Sequence, residues 1–446
     1  MKQSKYNIFY KLDNDKFLAF NTLKNGLAEI SLKIVDKIRY LEMGNDVNVD
    51  NSLVEELLKG GFICEDDYDE FRTLIIRRHM RQYFSGVLGL VIAPTLDCNM
   101  SCSYCFERPS EGIMNDSVME NLFKFIQKYI DSGIKEFAVT WFGGEPLLSF
   151  EVIEKLSEKF IAMSLKNKID YSALIITNGT LYTKNIAKKL KSMQVRMAQI
   201  TLDGDKVCHD QRRPFKNGKG TFDQIINNIQ ETVGIIPIHL RVNVNKSNAN
   251  QSLSFFENLK KKEWFKSFFG KMISISYGYV QKYTDSCRCS KEETLNPGDF
   301  WKQKLELYRY LNKNGYGFNL YPSTSYGCTA TSINSYVVGP EGELYKCWND
   351  IGDSDNVVGT IFKPIELNSQ HILYLTESFE NDEECRNCKF LPICMGGCVD
   401  IRIKRKKGIP YSKYCTEWKY YLEDALREYY MAKMAEKKIS ETEAAE

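Results

Sequence analysis

Three cysteines on one short loop constrain this chain more than any other feature. Cys98, Cys102 and Cys105 form a CxxxCxxC directly after the apolar, strand-like segment 88–93. Three thiolates at this spacing can hold three irons of a [4Fe–4S] cluster and leave the fourth iron open for a substrate or cofactor. A zinc knuckle and three buried structural cysteines are the alternatives, so the rest of the chain has to discriminate between them.

Cysteine usage elsewhere in the chain also favours metal binding. The 446 residues include 14 cysteines, of which seven lie between Cys328 and Cys415. The N-terminus lacks the apolar core of a signal peptide, and no apolar stretch of about 18 residues is present. We therefore expect a cytoplasmic protein, whose thiols are kept reduced rather than paired in disulfides.

Length and charge limit the possible partners. A chain of 446 residues is too long for one ordinary core, so two or three domains are expected. The net charge of +2 gives no electrostatic signature of nucleic-acid binding. We expect neither a nucleic acid nor a membrane as a partner.

Residues 1–75 are predicted to form a small separate module. Three short strands within 6–30 precede two helices, near 31–43 and 52–59, and Gly60-Gly61 ends the second helix. This order predicts a winged-helix-like fold. Residues 76–85 are predicted to be a linker.

Residues 86–320 alternate between strands and helices. Six strand–helix units predict an α/β fold in which a parallel sheet curls into a partial (β/α)6 TIM-like barrel. Active residues of such a barrel lie at the carboxyl ends of the strands, where the CxxxCxxC is found. The predicted strands are 88–93, 137–142, 174–177, 197–202, 239–244 and 273–279, and the predicted helices are near 116–131, 150–166, 183–193, 222–233, 251–262 and 298–313.

The last third of the chain has little periodicity. Residues 321–420 are rich in loop-forming residues, as expected of a domain organised by metal. The basic run 402–407 within them is interpreted as a solvated loop, with binding of the electron donor or of an acidic peptide as the alternative. Residues 421–446 contain the rest of a charged helix predicted over 416–435, followed from Glu436 by a tail that is predicted to be disordered.

The cysteine loop and the run after the second strand together resemble the radical S-adenosylmethionine (SAM) enzymes. In that family a GGEP run faces the methionyl ammonium of SAM, and its glycines let backbone carbonyls approach that group. The resemblance assigns this part to Gly143, Gly144, Glu145 and Pro146.

The resemblance implies further cofactor contacts. Tyr104 and Phe106 stand where the family uses an aromatic side chain near the adenine, and Asn178 follows the third strand. Thr201, at the end of the fourth strand, is implied to bond the cofactor carboxylate, and Arg212 to pair with it. Core packing for the aromatics and surface roles for Thr201 and Arg212 are the alternatives.

The family resemblance also implies a mechanism. Cys98, Cys102 and Cys105 would hold the radical-generating [4Fe–4S] cluster, whose open iron binds SAM. One electron, expected from a flavodoxin or ferredoxin, would break a carbon–sulfur bond of SAM and give a 5′-deoxyadenosyl radical. That radical takes hydrogen from carbon atoms that no side-chain base could deprotonate.

The second set of cysteines resembles the SPASM extension of radical SAM enzymes, which carries two auxiliary [4Fe–4S] clusters. A pair of zinc sites is the alternative, because thiolate ligands suit both metals. The resemblance implies one auxiliary cluster on Cys385, Cys388, Cys394 and Cys415 and the other on Cys328, Cys347 and Cys398.

Seven thiolates for eight positions leave one auxiliary iron without a cysteine. Sulfatase-maturing relatives have a further cysteine where this chain has Pro322, and an aspartate where it has Trp348. These departures weaken a formylglycine-forming interpretation. The missing ligand could be Cys287, Cys289, water or a substrate thiolate, and a substrate thiolate that later gave its sulfur to a carbon radical would yield a thioether.

The N-terminal module resembles the leader-recognition domain of enzymes that modify ribosomally made (RiPP) peptides. There an extended leader adds as a strand at a sheet edge; a purely structural cap is the alternative. The sequence therefore predicts a peptide maturase similar to those of the sactipeptide and ranthipeptide type, which forms a thioether in a leader-held precursor. Carbon–carbon or carbon–oxygen cross-linking, formylglycine formation and a non-catalytic iron–sulfur electron carrier are the alternatives.

Overall fold

A computed structural model describes most of the chain as two compact units. The described residues are 1–42, 50–282, 284, 286–287, 293–316, 320–324, 328–409 and 415–443. We call 85–317 with 328–376 the barrel unit, and 1–84 with 318–327 and 377–446 the terminal unit. The predicted domains divide the chain differently. They separate 1–75 from the cysteine-rich residues that follow the barrel, whereas the terminal unit contains 1–84 together with the cysteine-rich residues 377–446.

The terminal unit begins with a three-stranded antiparallel sheet of β2 (Asn7–Lys11), β3 (Lys16–Asn21) and β4 (Gly26–Ser31), in that order, where the sequence predicted three short strands. Ala19 of the central strand packs against helices on one face, and its neighbours Leu18 and Phe20 are fully buried on the other. Strand alternation therefore buries both faces of β3. The elements are β1 (Lys2–Gln3), β2 (Asn7–Lys11), β3 (Lys16–Asn21), β4 (Gly26–Ser31), α1 (Leu32–Glu42), α2 (Asn51–Gly60), β5 (Ile63–Cys64) and α3 (Glu70–Tyr83).

Six parallel strands form the centre of the barrel unit and confirm the predicted partial barrel. Their bounds are β6 (Val87–Ile92), β7 (Glu136–Trp141), β8 (Asp170–Thr177), β9 (Val195–Thr201), β10 (Ile238–Val244) and β11 (Ile273–Tyr279). Each strand pairs with the next in parallel. The carboxyl ends of all six strands therefore lie at one end of the sheet, which is the end that carries the CxxxCxxC loop.

The sheet extends beyond the predicted barrel. A seventh strand pairs in parallel with β6, and two further strands follow it antiparallel. The sequence predicted a loop region here and no strands, because strands of four, three and two residues are too short to show a recognisable period. They are β12 (Ser335–Val338), β13 (Glu343–Tyr345) and β14 (Gly359–Thr360).

Helices cover the strands as the helical periodicity predicted. Phe160 of the second barrel helix packs between strands, with ring centroids 5.1 Å from Phe137 and 6.2 Å from Tyr171. Burying each such ring contributes about 1.5–3 kcal/mol. The helices are α4 (Asp116–Asp131), α5 (Phe150–Asn167), α6 (Lys184–Ser192), α7 (Lys206–Arg212), α8 (Phe222–Thr232), α9 (Ser252–Lys260), α10 (Glu263–Phe268), α11 (Pro297–Lys313) and α12 (Ser369–Thr376), of which the sequence did not predict α7, α10 or α12.

The C-terminal part of the terminal unit is helical. It consists of α13 (Glu383–Arg386), α14 (Leu391–Cys394), α15 (Val399–Lys406) and α16 (Trp418–Glu443), which is irregular at Tyr421. Two predictions are wrong here. The basic run 402–407, interpreted as a solvated loop, lies mostly in α15, and the helix that was predicted to end near 435 continues through the expected tail to Glu443.

One core joins both ends of the chain within the terminal unit. Tyr6 and Leu74 from the N-terminal module pack with Phe379 and Cys385. The Thr22 hydroxyl also donates to the carbonyl of Lys389 at 2.5 Å. The N-terminal module and the cysteine-rich segment therefore fold as neighbours.

No helix in the described part of the chain has both the length and the apolar character that a membrane crossing requires.

Candidate functional site

The CxxxCxxC loop begins shortly after β6, at the carboxyl end of the first barrel strand. The amide of Cys98 donates to Asp97 Oδ1 at 2.8 Å, and the amide of Met100 points at Cys98 Sγ at 3.5 Å. Burial, with neighbouring carboxyl groups and thiols adding to it, raises the pKa of Cys98 and of Cys105 to about 12. Protons would stay on these sulfurs unless a bound metal displaced them, because a coordinating thiol is deprotonated outright.

Among the residues that the structure describes, no three His, Cys, Asp or Glu side chains are close enough together to hold a single metal ion. Thiolate ligands suit both zinc and iron. The [4Fe–4S] assignment of these three cysteines therefore stays a prediction from the resemblance to the radical SAM enzymes.

The two glycines of the GGEP run allow it to pack on the cysteine loop. A Cβ on Gly143, whose φ is +115°, would lie 2.3 Å from the carbonyl oxygen of Thr95. A Cβ on Gly144 would lie 2.2 Å from the carbonyl oxygen of Asp97. Real Cβ atoms do not approach backbone so closely, so only glycine fits either position.

Glu145 connects the ends of two barrel strands. Its fully buried carboxyl accepts hydrogen bonds from Thr177 Oγ1 and the Asn178 amide, each at 2.7 Å, and from the Leu147 amide at 3.0 Å. Burial raises the pKa of Glu145, and these three donors oppose the shift. The carboxyl thus fixes the GGEP run, which continues into a buried turn at Pro146.

Asn178 connects β8 to the cysteine loop. Its Nδ2 lies 3.8 Å from Cys98 Sγ and donates to Asn99 Oδ1 at 2.8 Å. The structure therefore brings GGEP, Asn178 and the first cysteine into one neighbourhood, as the order of the motifs predicted.

Tyr104 and Arg212 belong to one buried polar network. The Tyr104 hydroxyl donates to Asp203 Oδ2 and accepts from Arg213 Nη1 at 2.6 Å and from Asn243 Nδ2 at 3.1 Å. Arg212 lies 4.9 Å from the centre of the Tyr104 ring, and its Nε is 3.3 Å from Asp203 Oδ2. The guanidinium also donates to Asn245, Ser247 and the carbonyl of Asn243.

The other two predicted cofactor residues lie apart from this network. Phe106 packs in an apolar cluster with Val91 and Phe142, so the two aromatic residues have different surroundings. Thr201 is buried at the end of β9, paired with Arg241 of β10. The cofactor roles assigned to these residues remain predictions.

Sequence reasoning missed several polar residues around the loop. Asp203, Arg213 and Asn243 complete the network around Tyr104; Asp203 lies inside the TLDG run and Arg213 beside Arg212, so position alone could have indicated them. No sequence pattern pointed to Glu107 as a site residue. Burial, with Glu145 adding to it, raises its pKa to about 8, and its buried Oε2 has no hydrogen-bond partner among the described residues. An orphaned buried acceptor beside the cysteines fits a site for a polar cofactor.

His209 supports the site without titrating near neutral pH. Burial lowers its pKa to about 4. Its Nδ1 accepts from the Asp203 amide at 3.3 Å, so Nε2 carries the proton and faces Thr221 Oγ1 at 3.0 Å. The neutral ring therefore holds the turn that positions Asp203.

Four cysteines of the second set lie together in the terminal unit. Burial raises the pKa of Cys394, and the thiols of Cys415 and Cys385 add to that shift. Burial opposes a rise in the pKa of Lys419, but Cys415 and Cys388 both raise it. The amide of Cys388 donates to the carbonyl of Cys385 at 3.1 Å. The donor set therefore fits one [4Fe–4S] cluster.

The remaining predicted ligands belong to different units. Cys328 and Cys347 are in the barrel unit, with Cys347 buried, and Cys398 is in the terminal unit. Cys287 is buried, with Val280 and Tyr104 around it, and it is disulfide-bonded. The expectation of unpaired thiols is therefore wrong for Cys287, which in this state has no thiolate to offer an iron. Cys289 lies outside the described residues.

Comparisons with known proteins agree with this site. Residues 92–251 match the Radical SAM superfamily. A cysteine-type anaerobic sulfatase-maturating enzyme of Clostridium perfringens is 27% identical, over 76% of this chain and 96% of the relative. The radical SAM cyclopropyl synthase TigE of Paramaledivibacter caminithermalis is 24% identical, over 92% of this chain and 91% of the relative.

A solved structure shares the fold over most of the chain. Streptococcus suis SuiB bound to precursor peptide SuiA aligns with a TM-score of 0.52 and 15% identity, over 90% of this chain and 96% of SuiB. The chain is therefore an enzyme with a radical SAM domain, homologous to the anaerobic sulfatase-maturating enzymes and to TigE.

Proposed function

We propose that this chain is a peptide maturase that binds a ribosomally made precursor by its leader and forms a thioether in the core of that peptide. One observation supports a precursor peptide as the substrate. The likeness to SuiB, whose structure holds a precursor peptide, extends over 90% of this chain, whereas the sulfatase-maturing relative accounts for 76%. The further length supports a module that sulfatase maturation does not need.

The barrel provides the radical site. Cys98, Cys102 and Cys105 would hold the first cluster; with SAM it supplies a carbon-centred radical that takes hydrogen from an unactivated carbon. The chain's own contribution is positional. Gly143 and Gly144 bring the GGEP backbone against the cysteine loop, and Asp203 and Arg213 hold Tyr104 of that loop by hydrogen bonds. This buried, polar lining would orient the cofactor and exclude water.

The terminal unit offers a place for the leader. Both faces of β3 are buried, so an added peptide cannot lie across the middle of the sheet. The outer edges of β2 and β4 carry backbone groups that point away from β3, and an extended leader can pair with such groups. A flavodoxin or ferredoxin is the proposed electron donor.

The proposal of a thioether product depends on the number of cysteines that can bind the auxiliary clusters. We assign Cys385, Cys388, Cys394 and Cys415 to one auxiliary cluster and Cys328, Cys347 and Cys398 to the other, for three [4Fe–4S] clusters in total. The second auxiliary set lacks a fourth cysteine. An iron with an open position would hold the thiolate of a substrate cysteine close to the carbon that loses its hydrogen.

Carbon–carbon bond formation is the second candidate, because TigE is named a cyclopropyl synthase and its similarity extends over 92% of this chain. Mass spectrometry of a co-expressed precursor separates the two products. Both lose two hydrogens per link. A thioether also removes one alkylatable thiol per link, whereas a precursor whose thiols all remain alkylatable would support the carbon–carbon product.

Hydrogen exchange tests the leader site directly. Adding full-length precursor should slow amide exchange in one outer strand, β2 or β4, and a core peptide without its leader should not. Unchanged exchange throughout 1–42 with bound precursor would overturn the leader-binding role. Exchange in β8, a central barrel strand, is the internal control.

A further inference from the structure

Arg402 contacts a predicted auxiliary ligand through a hydrogen bond to sulfur. It lies on α15, its side chain is only 13% exposed, and its Nη1 is 3.5 Å from Cys385 Sγ. A buried guanidinium therefore faces this thiol.

Two carboxylates and a carbonyl hold the guanidinium in this orientation. Arg402 Nε is 3.2 Å from Glu377 Oε1, Nη1 is 3.3 Å from Asp382 Oδ2, and Nη2 donates to the Ser378 carbonyl at 2.7 Å. Asp382 also accepts from the Cys385 amide at 3.0 Å. The same acidic residue thus fixes both the ligand and the cation beside it.

A second cation faces the same set of thiols. Lys419, on α16, has its Nζ 3.9 Å from Cys415 Sγ and 3.3 Å from Glu384 Oε1. Its side chain is 39% exposed, so water screens its charge more than that of Arg402. The four cysteines therefore have one buried and one half-buried cation against their sulfurs.

We infer that Arg402, and more weakly Lys419, raise the reduction potential of the cluster held by Cys385, Cys388, Cys394 and Cys415. This inference rests on the proposed auxiliary cluster. One-electron reduction, by dithionite in the assay or by a flavodoxin-class donor, adds one negative charge to the cluster and its thiolates, with no bond made or broken. Hydrogen bonds to cluster sulfurs and nearby positive charge stabilise the more negative state.

Redox titration of the reconstituted full-length enzyme, followed by electron paramagnetic resonance, tests the inference. Arg402→Gln should disfavour the reduced state of one cluster about tenfold, which lowers its potential by about 59 mV for a one-electron couple. Lys419→Gln should shift the same signal in the same direction by less. Arg402→Lys, which keeps the charge, should restore part of the potential.

Arg405→Gln is the matched control, since it removes the same charge from an exposed position on the same helix. Equal potentials in wild type, Arg402→Gln and Lys419→Gln, all with full iron content, would overturn the inference. If Arg402→Gln loses iron, Arg402→Lys and Lys419→Gln decide. A Cys385→Ala, Cys388→Ala variant that keeps its full iron content would instead refute the auxiliary cluster itself, so the two failures are distinguishable.

Discussion

The two cysteine sites are built in different ways. The first lies on a loop after a regular parallel strand, packed by glycines that bring backbone against backbone, with the buried carboxyl groups of Glu107 and Glu145 nearby. The second lies in and beside short helices, with the cations of Arg402 and Lys419 against two of its sulfurs. Those cations would favour an added electron on a cluster at the second site, whereas the raised pKa of Glu107, about 8, keeps that carboxyl at the first site protonated near neutral pH.

The two sites should also differ in which reaction stops when each is damaged. In the proposed function the first site generates the radical that every later step needs, whereas the auxiliary cluster acts only on the peptide. Substitutions at the first site should therefore stop SAM cleavage, and those at the second should stop only the product.

The largest expected effect is at the first site. Cys98→Ala should reduce formation of methionine and 5′-deoxyadenosine below detection, because the cluster loses one of its three ligands. Chromatography of a dithionite reaction measures both products. Cys208→Ala, at a buried thiol outside both cysteine sets, is the control. Cleavage that survived in Cys98→Ala would refute the radical site.

At the second site, Cys385→Ala with Cys388→Ala should remove about one third of the iron, as expected for one cluster of three. Cross-linked precursor should disappear, while SAM cleavage should change only a few-fold. Iron analysis, chromatography and peptide mass spectrometry on the same preparation measure all three. Loss of SAM cleavage with the first cluster intact would mean that the two sites are not separable.

Backbone packing should matter more at the first site than an ordinary glycine position does. Gly144→Ala forces a Cβ against the Asp97 carbonyl oxygen and should cost about 1–3 kcal/mol of stability, with a fall in SAM affinity. Gly86→Ala is the matched control, because its Cβ would meet only the Lys135 side chain at 3.7 Å. Urea unfolding and SAM binding measure both; equal behaviour of the two variants would contradict the close packing.

The prediction with the smallest effect on activity concerns the pH dependence of stability and lies in the barrel unit. Because the pKa of His209 falls to about 4 on folding, its neutral form contributes stability that is present above about pH 6.5 and lost as pH falls towards 4. The contribution is at most about 3 kcal/mol.

His209→Gln should therefore flatten the acid slope of unfolding free energy between pH 6.5 and 4, as measured by urea titration of the apoprotein. His79→Gln, at an exposed histidine of the terminal unit, is the control. An unchanged slope in His209→Gln would show that another group dominates acid unfolding.

Sequence reasoning succeeded where the signal was local. The barrel strands and helices have regular periods, and the motifs follow strand ends, so their order along the chain predicts that Asn178 and GGEP meet the cysteine loop. The positions of Asp203 and Arg213 could have indicated them, but their pairing with Tyr104 could not be predicted, because a buried tyrosine gives no sequence signal of its partners.

The same limit explains the errors in the terminal unit. A run such as Arg402–Lys407 looks solvated because its charges are read one by one. In the structure Arg402 and Lys406 share Glu377, and this pairing makes a basic helix compatible with burial. The joint core of Tyr6, Leu74 and Cys385 was likewise invisible, since it joins segments about 300 residues apart.

Strand β12 has a consequence for how such an enzyme can diversify. It pairs residue by residue with β6, Val337 beside Val91, and it stands between Cys328 and Cys347 in the chain. The spacing between the radical loop and this half of the second cysteine set is therefore fixed by main-chain geometry. Side chains around either cysteine site can change to suit a new peptide or a new product, while the distance between the two sites stays the same.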